Sequence, residues 1–199
     1  MSKNLNTTNE SLIKLDDQRF FIFEKLESYK PEDANEERMR QQTVEFILAN
    51  PNCFERSLQI GHVTGSAWII SSDRSQALLT HHRKLDRWMQ LGGHSDGNPN
   101  TLDVAFREAT EESGLSDIKI ASNKIFDIDV HLIPARGEEP EHFHYDIRWL
   151  FEADLKIPLI ISSESKDLKW LPLEQIILDD NTTESIPRMV KKTFKLKNS

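Results

Sequence analysis

Between residues 126 and 149 the chain changes character at almost every step. Phe126, Ile128, Val130 and Leu132 alternate with Asp127, Asp129 and His131. Further on, Phe143, Tyr145, Ile147 and Trp149 alternate with His142, His144, Asp146 and Arg148. Successive side chains of a strand point to opposite faces, so each stretch predicts a strand with one apolar and one polar side. Pro134-Ala-Arg-Gly-Glu-Glu-Pro140 is the loop between them. If the strands are neighbours, they share a wet polar face rich in imidazoles and carboxylates. That face is either an ordinary solvated surface or a pocket for a substrate or second metal, lined by His131, His142 and His144.

The pattern before residue 58 is different. Leu12, Ile13, Phe20, Phe21, Phe23 and Leu26 recur at helical spacing until Pro31, and a second helical run covers about Ala34 to Ala49, before Pro51. Short helices are also predicted from Leu173 to Leu178 and from about Pro187, the latter ending in a solvated run of lysines that includes Lys191 and Lys192. The expected organisation is a helical extension over residues 1–55, with the first ten residues too polar to pack, then a mixed α/β domain over residues 56–199. The extension holds too many apolar groups to stand free. It is expected to cover the following domain or to form a contact between two copies.

Composition narrows the function. A formal net charge of −8 argues against a general nucleic-acid binder and leaves an enzyme of small anions in need of a cation at its site. Cys53 is the only cysteine, which excludes an intrachain disulfide and a cysteine-based zinc site. No apolar run approaches the roughly 18 residues of a membrane span, and the N-terminus has no signal-peptide pattern. A soluble cytoplasmic protein is expected.

The segment from Asn100 to Gly114 reads as a helix, with Asn100 or Thr101 as its N-cap and Gly114 as its left-handed C-cap. Leu102, Ala105, Phe106 and Ala109 form its expected buried stripe. Glu108, Glu111 and Glu112 then share one face of the last turns, where the helix dipole is already negative and each misplaced charge costs about 0.3–1 kcal/mol. Arg107 reaches Glu111 at i+4, but one cation cannot balance three anions. Such a face is either merely solvated or built for a divalent cation. The glycine-rich turn Gln90-Leu-Gly-Gly-His-Ser-Asp-Gly97 ahead of the helix favours the second, because it lets backbone approach a phosphate or an ion.

Gly93, five residues, Pro99, seven residues and then Arg107-Glu108-Ala109-Thr110-Glu111-Glu112-Ser113-Gly114-Leu115 closely resembles the Nudix box. The match departs twice: Pro99 stands where the box has its first glutamate, and Ala109 is small for a bulky aliphatic position. Asp96 and Asp103 are the nearest carboxylates to stand in for the lost one. Gly61–Ile70, Leu78–His82 with Arg87–Leu91, and Lys169–Glu174 are similar to the strands around the box in that superfamily. The resemblance covers about residues 56–180. It implies a Nudix-type α/β/α sandwich and hydrolysis of a nucleoside diphosphate linked to another group, with Mg²⁺ or Mn²⁺ as cofactor and water attacking phosphorus.

Carried over by position, the resemblance implies Glu108, Glu111 and Glu112 as metal ligands with the Gly92 carbonyl, and Arg107 as a group that orients the glutamates. The general base is Glu108 or Glu164, the latter in the Ser-Ser-Glu-Ser loop before Trp170. The expected partner is a phosphorylated, nucleotide-derived small molecule rather than a nucleic acid or a membrane. Two other readings exist within the same fold. One is a non-catalytic nucleotide sensor, suggested by Pro99; the other is an isopentenyl-diphosphate-isomerase-like enzyme, disfavoured because Cys53 lies outside the region where its cysteine is needed. Trp68, Trp88, Trp149 and Trp170 read as packing groups.

Overall fold

The computed structural model describes residues 15–197; Leu12, Ile13 and the ten polar N-terminal residues lie outside them. Helix α1 (Asp17–Ser28) and helix α2 (Ala34–Ala49) come first. Asp16 caps α1 by accepting from the Arg19 amide at 2.9 Å, and Asp33 caps α2 by accepting from the Glu36 amide at 2.8 Å. Strands β1 (Gly61–Ser71), β2 (Gln76–His82), β3 (Arg87–Met89) and β4 (Leu91–His94) lead into helix α3 (Thr101–Ser113). Strands β5 (Lys119–Ile133), β6 (His142–Ala153) and β7 (Ser165–Pro172), then the short α4 (Leu173–Ile176) and α5 (Ile186–Lys197), complete the described chain.

All eleven residues of β1 are buried because strands flank it on both sides. It runs parallel to β6, with Gly61 opposite Phe143 and Ser71 opposite Ala153, and antiparallel to β2 and β4. The sheet follows the path β3-β2-β1-β6-β5, with β4 added to β1 and β7 to β2. On one face, Ile22, Leu26, Phe46 and Ile47 from α1 and α2 join Ala105 and Ala109 of α3 against Val63, Ile128, Ile147 and Trp149. On the other, Leu173, Ile186, Met189 and Val190 of α4 and α5 cover Trp68, Ile70 and Leu150. The result is an α/β/α sandwich. Trp68 and Trp149 are fully buried, and their indole N–H groups donate to Thr193 and Thr101.

Several expectations change on folding. Pairing shifts between Ile125 and Asp127, so Phe126 is an extra residue in β5. It packs with the α5 cluster, while Ile128 faces the other core, and the expected single apolar row is broken. In α3, Phe106 is 40% exposed and Val104 is buried in its stead.

The polar face of β5 and β6 is not wet at its centre. Asp127, Asp146 and Arg148 are all buried there. The Arg148 guanidinium donates to Asp146 at 2.7 Å, to Asp127 at 3.1 Å and to Asp129 at 3.1 Å. Arg188 of α5 grips both oxygens of Asp127 at 2.7 and 2.8 Å. Lys192 is buried too, against the expectation of a solvated lysine tail, and donates to Asp127 at 2.8 Å and to the buried Glu36 of α2. Three cations and four carboxylates thus tie α2, β5, β6 and α5 together. Burial alone would raise the Asp127 carboxyl, but Arg188, Arg148 and Lys192 outweigh it and hold the group well below the usual carboxylate range. No helix among the described residues is long and apolar enough to cross a membrane.

Candidate active site

Strand β4 and helix α3 form one corner of the molecule, joined by the turn that carries Pro99. Antiparallel pairing sets Gly93 opposite Gly65 and Gly92 opposite Ser66. A Cβ on Gly93 would lie 2.5–2.7 Å from the carboxyl atoms of Glu108, and one on Gly92 would lie 2.2 Å from Ser66 Oγ. Gly93 therefore lets the Glu108 carboxylate lie directly against the strand, and Gly92 lets β4 pack closely on Ser66 of β1. Gly114 closes the helix at φ 67°, as its position predicts, and its amide donates to the Thr110 carbonyl. Asn100 is the N-cap by backbone position but makes no side-chain cap; its amide group donates instead to Asp103 at 2.7 Å.

The three box glutamates sit in unequal surroundings. Glu111 is exposed, while Glu108 and Glu112 are partly covered. Burial, followed by the charges of Glu108, Glu164 and Glu111, pushes the Glu112 carboxyl up to about 8, tempered by the Gly92 amide. Burial also raises Glu108, opposed chiefly by Arg107. Glu164 acts electrostatically on both, so the Ser162–Ser165 loop brings a fourth carboxylate to the corner. That loop is held by Arg83, whose amide donates to the Glu164 carbonyl at 2.9 Å and whose guanidinium donates to the Ser163 and Ser165 carbonyls.

Arg107 lies 2.8 Å from Glu108 and 3.4 Å from Glu111, and donates to the His94 carbonyl at 3.1 Å. It holds two glutamates in place and clamps the helix to β4. Neither expected stand-in for the box's first glutamate joins the corner. Asp96 pairs with Arg56 at 2.7 Å, and Asp103 is engaged by Asn100.

The histidines gather beyond the far end of β4. His144 stands opposite His62 on β1 and opposite His131 on β5, and His142 precedes it by two on the same side of β6. The His62 ring lies 4.9 Å from that of His94, 5.0 Å from that of His142 and 4.8 Å from that of His144, centre to centre. Burial first, then neighbouring imidazoles, holds His62 down to about 4 and His144 down to about 2, so both are neutral. His131 sits at the rim, its Nδ1 3.1 Å from Asp129. The sequence singles out His131, His142 and His144 but not His62 or His94. Their signal is weak: His62 shares parity with Thr64 and Ser66 on β1, yet only the parallel β1–β6 register sets it beside His144.

No protein-family model matches the sequence and no curated protein matches it, but solved structures match its shape. A C. elegans Ap4A hydrolase in a binary complex superposes over 67% of this chain and 96% of its own, at 18% identity and a TM-score of 0.54. The MutT protein of Methanosarcina mazei Go1 covers 71% and 99%, at 15% identity and a TM-score of 0.52. A MutT NUDIX hydrolase from Burkholderia pseudomallei covers 66% and 97%, at 19% identity and a TM-score of 0.52. Each likeness spans about two thirds or a little more of this chain, and what it shows is the shared fold. The chain has the Nudix fold.

Proposed function

We propose that the chain is a Nudix hydrolase that cleaves a diphosphate linkage in a nucleoside diphosphate joined to another group, acting in the cytoplasm. The observation that supports this most is the crowding of Glu108, Glu111, Glu112 and Glu164 at one corner with Arg107 as the cation in contact. Two of those carboxylates are held above their usual range, which is the state of a site designed to surrender protons to a metal ion. The donor set is all oxygen and suits a hard divalent cation, Mg²⁺ or Mn²⁺. Glu108, Glu111 and Glu112, with the Gly92 carbonyl, would hold it. When bound, the ion offsets the charge of the diphosphate and acidifies a coordinated water. Arg107 fixes the direction of Glu108 and Glu111. Glu108, which Arg107 engages, and Glu164 are the two candidates to take the water proton. Pro99 favours a second reading, a nucleotide sensor without turnover.

A product-release screen separates them. ADP-ribose, dinucleoside polyphosphates, nucleoside triphosphates, nucleotide sugars and CoA derivatives are offered with Mg²⁺ and with Mn²⁺. At least one is expected to turn over and to stop doing so in EDTA. Binding without any turnover across the panel would leave the sensor. Gly93→Ala probes the corner itself. The added methyl must displace the Glu108 carboxylate, a mobile group, so melting temperature should stay near wild type. A misplacement of about 1 Å costs up to about 10²-fold in kcat. Unchanged turnover would remove Glu108 from the reacting centre.

A further inference from the structure

Glu108, Glu111 and Glu112 account for the hard-metal corner, but not for the histidines beside it. His62, His142 and His144 each place a ring nitrogen within 4.8 Å of the other two. They come from adjacent parallel strands and face the same side, so backbone register rather than chance rotamers brings them together.

Two observations show that this is more than a packed cluster. His62 is only 1% exposed, and neither of its ring nitrogens makes a well-formed hydrogen bond among the described residues, the Leu58 backbone acting on the ring only weakly. A neutral imidazole carries one donor and one acceptor, and leaving such buried groups without good partners is unfavourable. A core that wanted only packing would be better served by leucine. His142 has the complementary arrangement. Its Nδ1 lies 2.9 Å from the Pro140 carbonyl, which can only accept, so Nδ1 carries the proton and the lone pair is on Nε2. That Nε2 lies 3.2 Å from His144 Nε2, inside the cluster. Fixing the tautomer of a ligand histidine through a backbone carbonyl is the usual outer-shell device at metal sites.

We infer that His62, His142 and His144 form a transition-metal site of the zinc class, distinct from the glutamate corner. Three imidazoles with no carboxylate among them suit Zn²⁺, Co²⁺ or Ni²⁺ and not Mg²⁺. Nitrogens bound to one zinc at about 2.0–2.1 Å lie about 3.3 Å apart in a tetrahedral shell. The His142–His144 pair, at 3.2 Å, already has that spacing, and His62 offers a ring nitrogen within 4.8 Å of both. Glu139 lies at the rim, 3.9 Å from His142 Nε2, and His94 borders the cluster; either, or a water, completes the fourth position. His94 also accepts from Arg107 through its carbonyl, so the site abuts the strand end to which the glutamate helix is clamped. This inference does not depend on the hydrolase reading.

Co²⁺ titration of the untagged, metal-stripped protein tests it. One equivalent is expected to give the intense visible bands of a tetrahedral site; Zn²⁺ should displace it, and excess Mg²⁺ should not. Glu112→Gln should leave this spectrum unchanged. His62→Gln and His142→Gln should each weaken Co²⁺ and Zn²⁺ binding by about 100-fold or more. X-ray absorption at the zinc edge on the wild-type protein needs no variant, and should show imidazole nitrogens at about 2.0–2.1 Å. A first shell of oxygen alone, no tetrahedral spectrum, or full affinity in a folded His62→Gln protein would overturn the site. Loss of the spectrum in Glu112→Gln would do the same, since the ion would then sit in the glutamate corner.

Discussion

Replacing Glu112 with glutamine should lower kcat by about 10³-fold while the protein stays folded. A metal ion at a reacting phosphorus supplies several kcal/mol of charge stabilisation, and each 1.36 kcal/mol is about tenfold in rate. Glu112 is the most perturbed of the box glutamates, pushed up to about 8 by burial and by its carboxylate neighbours. A group so placed is costly to the metal-free fold and has value only with a cation beside it. The glutamine variant should therefore melt at or above the wild-type temperature in EDTA, since glutamine removes the cost of holding a buried carboxyl protonated above its ordinary value of 4.5. Steady-state kinetics in Mg²⁺ and a thermal melt in EDTA read the two halves. Wild-type kcat would show that Glu112 does not hold the metal.

The second large effect concerns stability. Arg148→Leu should destabilise the chain by about 3–5 kcal/mol, the range for breaking a buried ion pair and stranding its partners. Arg148 is 1% exposed and donates to three carboxylates that are mostly or wholly buried. Asp127 keeps Arg188 and Lys192, and Asp146 keeps hydroxyl donors on Thr64 and Ser66 at 2.9 and 2.7 Å, which limits the loss. The acid limb should also move. In the wild type, Asp127 and Asp129 lie below their ordinary 3.8 in the folded state. Their contribution is thus complete above about that value and is lost as pH falls through the lower folded ones. Without Arg148, burial is less opposed, both carboxyls rise, and acid unfolding should begin at higher pH. Urea melts at pH 7 and a pH titration by circular dichroism measure both shifts. A change below about 1 kcal/mol would mean the network is balanced without Arg148.

What was legible in the sequence depended on how local its cause was. The range of α2, the left-handed Gly114 and the strand alternation through His142 to Trp149 follow from neighbours along the chain. The glutamate corner was legible because spacing along one helix sets its geometry. The ion network was not. Lys192 and Glu36 are 156 residues apart, and each alone reads as a solvated helix charge. Nor was the bulge at Phe126, which shifts half a strand by one residue. The histidine cluster was half legible: alternation put His142 and His144 on one side, but the parallel pairing that supplies His62 is a property of the whole sheet.

The central claim is that water, activated at the glutamate corner, attacks phosphorus. The most direct measurement is hydrolysis of the screened substrate in ¹⁸O-labelled water, with mass spectrometry of both products. The account predicts one ¹⁸O per turnover, bonded to phosphorus as a phosphate oxygen of one product, and no labelled product when Mg²⁺ and Mn²⁺ are absent. Label on a carbon-bound hydroxyl, or labelled product at the same rate in EDTA, would contradict it.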